Sequence, residues 1–65
     1  MTEKSIQTSI KSYKARMEAA DQTAIEAIRG GMYETAASMV ARAAGYKAAI
    51  EELEFILEAM EVWHD

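Results

Sequence analysis

Glu61-Val62-Trp63-His64 spells E-x-x-H, the spacing by which di-iron bundles present a bridging carboxylate and a histidine from one helical face. In a dimer, two such motifs and two further glutamates would complete the ligand set, and Glu3 is the nearest candidate if the chain folds back on itself. The motif carries little weight. Nine of the 65 residues are glutamate, so one lies three positions before the single histidine without any need for design. The motif also stands in a last helical turn, whereas metal ligands need packed, hydrogen-bonded neighbours to orient them. A solvated histidine favoured by the negative end of a helix dipole accounts for the same residues. No metal and no cofactor are expected, and a di-metal carboxylate bundle is kept only as a third reading.

Other constellations are weaker. Of Ser5, Ser9, Ser12 and Ser38, only Ser5 could lie near His64, and such a pair lacks an orienting acid and an oxyanion hole. Gly30-Gly31 has neither the preceding strand nor the lysine of a phosphate loop. Tyr13, Tyr46 and the methionines recur at core spacing, which makes them packing residues. Lys11, Lys14 and Arg16 are too few, beside a net charge of -4, to build the field that phosphate binding needs. Neither enzymatic activity nor nucleic-acid binding is expected.

Composition points to helices. Half of the residues are apolar and 28% are charged, the balance of a folding domain. Alanine, glutamate, lysine and five methionines dominate, with no proline. There is no cysteine, so neither a disulfide nor a Cys/His zinc site can staple the fold. Chains of this size bury only about 60% of their unfolded surface and commonly need such a staple or a partner. Met1-Thr2-Glu3-Lys4 opens no apolar run, so no secretion signal is expected. Arg42 and Lys47 interrupt the most apolar stretch, so no membrane span or membrane partner is expected either. The expected compartment is the cytoplasm, the host cytoplasm or a virion if the chain is phage-encoded.

Gly30-Gly31 is the one strong breaker. Before it, Ile6, Ile10, Tyr13, Met17, Ala20, Ala24 and Ile28 recur by fours and threes, with one final extra step of four. After it, Met32, Ala36, Met39, Ala43, Tyr46, Ile50, Leu53, Leu57 and Met60 alternate without a slip. The spacing predicts an all-α fold: one domain over residues 1–65, built as an antiparallel two-helix hairpin with helices over about 3–29 and 32–63. Gly30 is expected to take the left-handed conformation and Gly31 to cap the second helix, placing Glu34 at its third position; Thr2 or Ser5 would cap the first. Folded back at the glycines, residue i lies beside roughly residue 62 minus i, which sets Lys11 against Glu51 or Glu52 and Lys4 against Glu58.

The second helix carries a second apolar line. Tyr33, Ala37, Ala41, Ala44, Ala48, Phe55, Ala59 and Val62 fall within about 80° of one another, opposite Leu53, and only Glu51 and Glu52 interrupt them. Ala37, Ala41, Gly45 and Ala49 add small residues at four-residue spacing, and Gly45 costs about 1 kcal/mol against alanine inside a helix. Alanine alone is also a good surface helix former. Phe55, Val62 and Trp63 are what turn the line into an expected contact. The expected product is a homodimeric four-helix bundle or a higher oligomer, with Ala37, Ala41, Ala44, Gly45, Ala48, Phe55, Val62 and Trp63 at the interface.

Ile28-Arg29-Gly30-Gly31-Met32-Tyr33, the alanine-rich run to Gly45-Tyr46, then Ile50-Glu51-Glu52-Leu53 and Ile56-Leu57, resemble small helical-hairpin accessory and virion proteins of tailed bacteriophages over about residues 26–58. Ala49 and Glu52 depart from the second glycine and the larger apolar residue expected there. The resemblance implies a phage-type virion or assembly component without enzymatic activity, and no functional residues carry over. The expected function is therefore non-enzymatic self-assembly with docking on a larger protein assembly. The alternative is a small acidic regulator that occupies a basic site on a host protein through Glu51, Glu52, Glu54, Glu58 and Glu61.

Overall fold

Thr2 starts the first helix from an extended backbone (φ -94°, ψ 159°), its Oγ1 accepting the Ser5 amide at 3.1 Å. That bond satisfies one of the four amides a helix start leaves unpaired, and Glu3 adds a favourable charge in the first turn. Helix α1 then runs Glu3–Arg29 and helix α2 runs Tyr33–Trp63, in a computed structural model that describes residues 2–63, without the Trp63 side chain. Thr8 and Thr23 sit within α1 with their hydroxyls donating to the carbonyls of Lys4 (2.9 Å) and Ala19 (3.0 Å), which leaves the helix unbroken.

The turn reverses the expected roles of the two glycines. Gly30 has φ -86° and ψ 0°, whereas Gly31 takes the left-handed conformation at φ 76°. The Gly31 amide donates to the Ile28 carbonyl at 3.1 Å, and the Met32 amide donates to the Ala27 carbonyl at 2.8 Å. These two bonds are the Schellman closure, which needs its left-handed residue one position past the cap. Gly31 is therefore spent on ending α1. Met32 caps α2 instead, its carbonyl accepting the Ala36 amide at 3.0 Å. Glu34 accordingly stands at the second position of α2 and not at the third, still within the first turn.

The two helices pack side by side as an all-α hairpin of 53 × 14 × 13 Å. Its seam follows the predicted stripes with two corrections, both at the turn. Ala27 is buried where Ile28 was expected, and Ile28 is 52% exposed. The reason is the period: from Met17, steps of three, four and three reach Ala20, Ala24 and Ala27, while Ile28 needs the extra step of four. Met32 is 58% exposed, because the bonds that join the two caps hold it outside the seam. Ala36, Ala43 and Ile50 are buried, and Met39, Tyr46, Leu53, Leu57 and Met60 are half-buried, as their spacing predicts.

The core is uneven along the rod. At the open end Ile6, Ile10 and Ile50 form its centre, with Tyr13, Met17, Leu53, Leu57 and Met60 packed around them. Tyr13 and Tyr46 meet with ring centroids 5.9 Å apart, close to the predicted antiparallel register. Toward the turn the buried residues are Ala20, Ala24, Ala27, Ala36 and Ala43. Among the described residues only Ile6 is a fully buried large side chain, so the apolar stabilisation of the hairpin is concentrated at one end.

The expected lysine–glutamate pairs do not form among the described residues. Lys4, Lys11, Glu51, Glu52 and Glu58 all project into solvent without an ion pair between them. In water such contacts gain too little, about 0.2 to 1 kcal/mol, to hold two long side chains in one geometry.

Candidate interaction surface

Because α2 turns its Ala36, Ala43 and Ile50 side to α1, the line from Tyr33 to Val62 is carried to the opposite side of the hairpin. Tyr33 is 70% exposed, Phe55 72% and Val62 75%, and Ala37, Ala41, Ala44, Gly45 and Ala48 are exposed between them. Ala59, at the distal end, is half-buried and contributes less to this face than its spacing suggested. Trp63 ends the helix, and its side chain lies outside the described residues.

Exposed Val40 and Ile56 flank the line on opposite sides. Sequence spacing did not single out Val40, because the middle of the face was drawn as a single stripe, whereas Ile56 stands in the run near the C-terminus that is apolar on most sides. The signal was present in α2 as a whole, whose apolar residues are spread around the axis and not gathered on one side.

Gly45 occupies a particular place in this surface. A Cβ built there would meet nothing within 4 Å, so no part of the hairpin requires a glycine at that position. The close approach expected at Gly45 is therefore not made by α1.

The residues considered for catalysis lie only partly within the described residues. Glu61 is exposed in the final turn of α2, and His64 lies outside the described residues, as does any Ser5–His64 pair. Among the described residues no three His, Cys, Asp or Glu side chains come together in a way that could hold a metal ion.

Two shallow clefts run beside the seam. The first, of about 230 Å³, is lined by Arg16, Thr23, Met39, Arg42 and Tyr46 among others. The second, of about 300 Å³, is lined by Thr8, Ser9, Ser12, Tyr13 and Arg16. Neither encloses a ligand in the way small-molecule sites do, which bury most of the surface of what they bind. The Thr8 and Thr23 hydroxyls are already donating to backbone carbonyls, and the Arg16 guanidinium lies 5.9 Å from the centre of the Tyr13 ring.

Among the described residues no helix is long and apolar enough to cross a membrane. No protein-family model, curated protein or solved structure matches the chain.

Proposed function

We propose that this chain is a non-enzymatic helical interaction protein that works by self-association and by docking on a larger protein assembly. The role is that of small hairpin components in phage particles or their assembly, the setting to which its sequence resemblance points. The observation that carries the reading is the exposure of Phe55 and Val62 on the side of α2 away from α1, continuous with a row of small residues. Large apolar groups on such a surface mark interaction sites, and aromatic ones dominate binding energy.

Solution mass by light scattering is the test. The wild-type chain is expected to run above 7.2 kDa at micromolar concentration. Phe55→Ser is expected to shift it toward the single-chain mass while circular dichroism reports a retained helical hairpin. A wild-type protein that stays at the single-chain mass throughout would sink the self-association reading.

A second reading draws on the exposure of Glu51, Glu52, Glu54, Glu58 and Glu61, which makes the far half of α2 acidic. As a small regulator the chain would present this edge to a basic site on another protein. Salt separates the two: a complex held by the acidic edge weakens steeply between 0.05 and 0.5 M salt on the order set by charge screening, and one held by the apolar face does not.

A further inference from the structure

Resting on the self-association reading, we infer that the uncovered face of α2 is covered by α2 of a second copy, running antiparallel about a two-fold axis close to Ala48. Surface area leaves room for such a contact. The chain exposes 5056 Å². A compact protein of its mass exposes about 4,100 Å², so the excess is about 900 Å², close to the roughly 800 Å² that each partner buries in a stable interface.

Shape fixes the centre. Ala41, Ala44, Gly45 and Ala48 are exposed and small, so a helix axis can approach to about 8 Å there. The open space around Gly45 is then filled by the partner, which accounts for a glycine that the hairpin itself does not need.

Charge and volume fix the direction. With the axis at Ala48, residue i faces about residue 96 minus i of the partner. The large Phe55 then lies over Ala41 of the partner subunit, and Tyr33 approaches Val62 of the partner subunit. The two-fold brings each flank of the helix against the same flank of its mate. Lys47 and Glu51 share one flank, whereas Arg42 lies toward α1, in the cleft beside the seam. Lys47 therefore meets Glu51 of the partner subunit, as flanking charges do in paired helices. Glu51, one of the two glutamates that interrupt the apolar line, thus acquires a partner. A parallel pairing would set Glu51 and Glu52 against their own copies and Phe55 against Phe55, leaving the alanines opposite one another.

The chain has no cysteine, so introduced thiols report the geometry directly. Facing helical positions at such a crossing come within disulfide reach. Under mild oxidation Ala48→Cys is expected to link to itself. Ala41→Cys alone and Phe55→Cys alone are expected not to link, while a mixture of those two does. Lys47→Glu is expected to weaken association about tenfold, and adding Glu51→Lys to the same chain to restore it, since exposed charge pairs are switched from attraction to repulsion and back. All these side chains are exposed, so the hairpin fold is expected to survive each change, with circular dichroism as the check.

A wild-type protein that remains single-chain up to about 100 μM would overturn both this geometry and the self-association on which it rests, since stable interfaces of this size hold below that concentration. An oligomer in which Ala41→Cys and Phe55→Cys each link to themselves would overturn the antiparallel direction alone. An oligomer in which none of these positions links would place the interface elsewhere. Failure of Glu51→Lys to restore Lys47→Glu would remove the charge pairing.

Discussion

Gly31 and Gly30 are neighbours of the same type, yet the fold asks different things of them. Gly31 holds φ 76°, a conformation that costs an L-residue about 1 to 2 kcal/mol, so Gly31→Ala is expected to destabilise the hairpin by about that amount in urea unfolding. Gly30 holds φ -86°, and a Cβ there would meet only the Glu26 and Ala27 carbonyls, at 3.6 and 3.8 Å, which is ordinary contact. Gly30→Ala is accordingly expected to be neutral or stabilising by up to about 1 kcal/mol, because it restricts only the unfolded chain. Equal losses for the two variants would show that the left-handed residue is not where the hydrogen bonds of the turn require it. Gly45 belongs with Gly30 in this respect as far as the hairpin is concerned. In a dilute, dissociated sample, Gly45→Ala is expected to raise helix stability by about 0.5 to 1 kcal/mol.

The helices depend on their apolar stripes, and the burden falls on few side chains. Ile6 is fully buried and Ile50 nearly so, and both belong to the cluster at the open end. Ile6→Ala or Ile50→Ala is expected to cost about 2 to 5 kcal/mol, enough to abolish cooperative thermal unfolding in a small hairpin, as read by circular dichroism. Ile28→Ala, on the same helix but exposed, is expected to change stability by less than about 0.5 kcal/mol. Comparable losses at Ile6 and Ile28 would contradict the seam. The two stripes were legible in the sequence because a period of 3.5 to 3.6 residues is imposed at every turn, so the run from Ala36 to Met60 leaves no competing register. What was not legible lies where the helical period stops. The choice between Gly30 and Gly31 and the fate of Ile28 and Met32 depend on which amide reaches which carbonyl, a geometry that residue types alone do not specify. The apolar face could be drawn from spacing as well. The vacancy around Gly45 could not, since it depends on how far α1 stands from that side of α2.

At the scale of the whole molecule, stability and surface exposure pull in opposite directions. Among the described residues, five of the eight buried ones are alanine, which contribute little burial each, while Tyr33, Val40, Phe55, Ile56 and Val62 stay in water. These side chains stay outside the seam on α2, and Ile25 and Ile28 stay outside it on α1, so the pairing proposed above would cover apolar surface that the seam leaves in water. Folding and association should then be linked by mass action. For a chain of this size a tenfold rise in concentration is expected to raise the Tm by about 3 to 6 °C, the shift that about 0.7 kcal/mol per chain produces. Phe55→Ser removes an exposed anchor without touching the seam, so its Tm is expected to vary with concentration by less than about 1 °C while its helix content is kept. The comparison discriminates because the two terms respond to different variables: the seam is intramolecular and insensitive to dilution, whereas the outer face acts only when a second surface is present. A wild-type Tm independent of concentration would mean that the seam alone holds the hairpin, and the face from Tyr33 to Val62 would then belong to a partner other than itself.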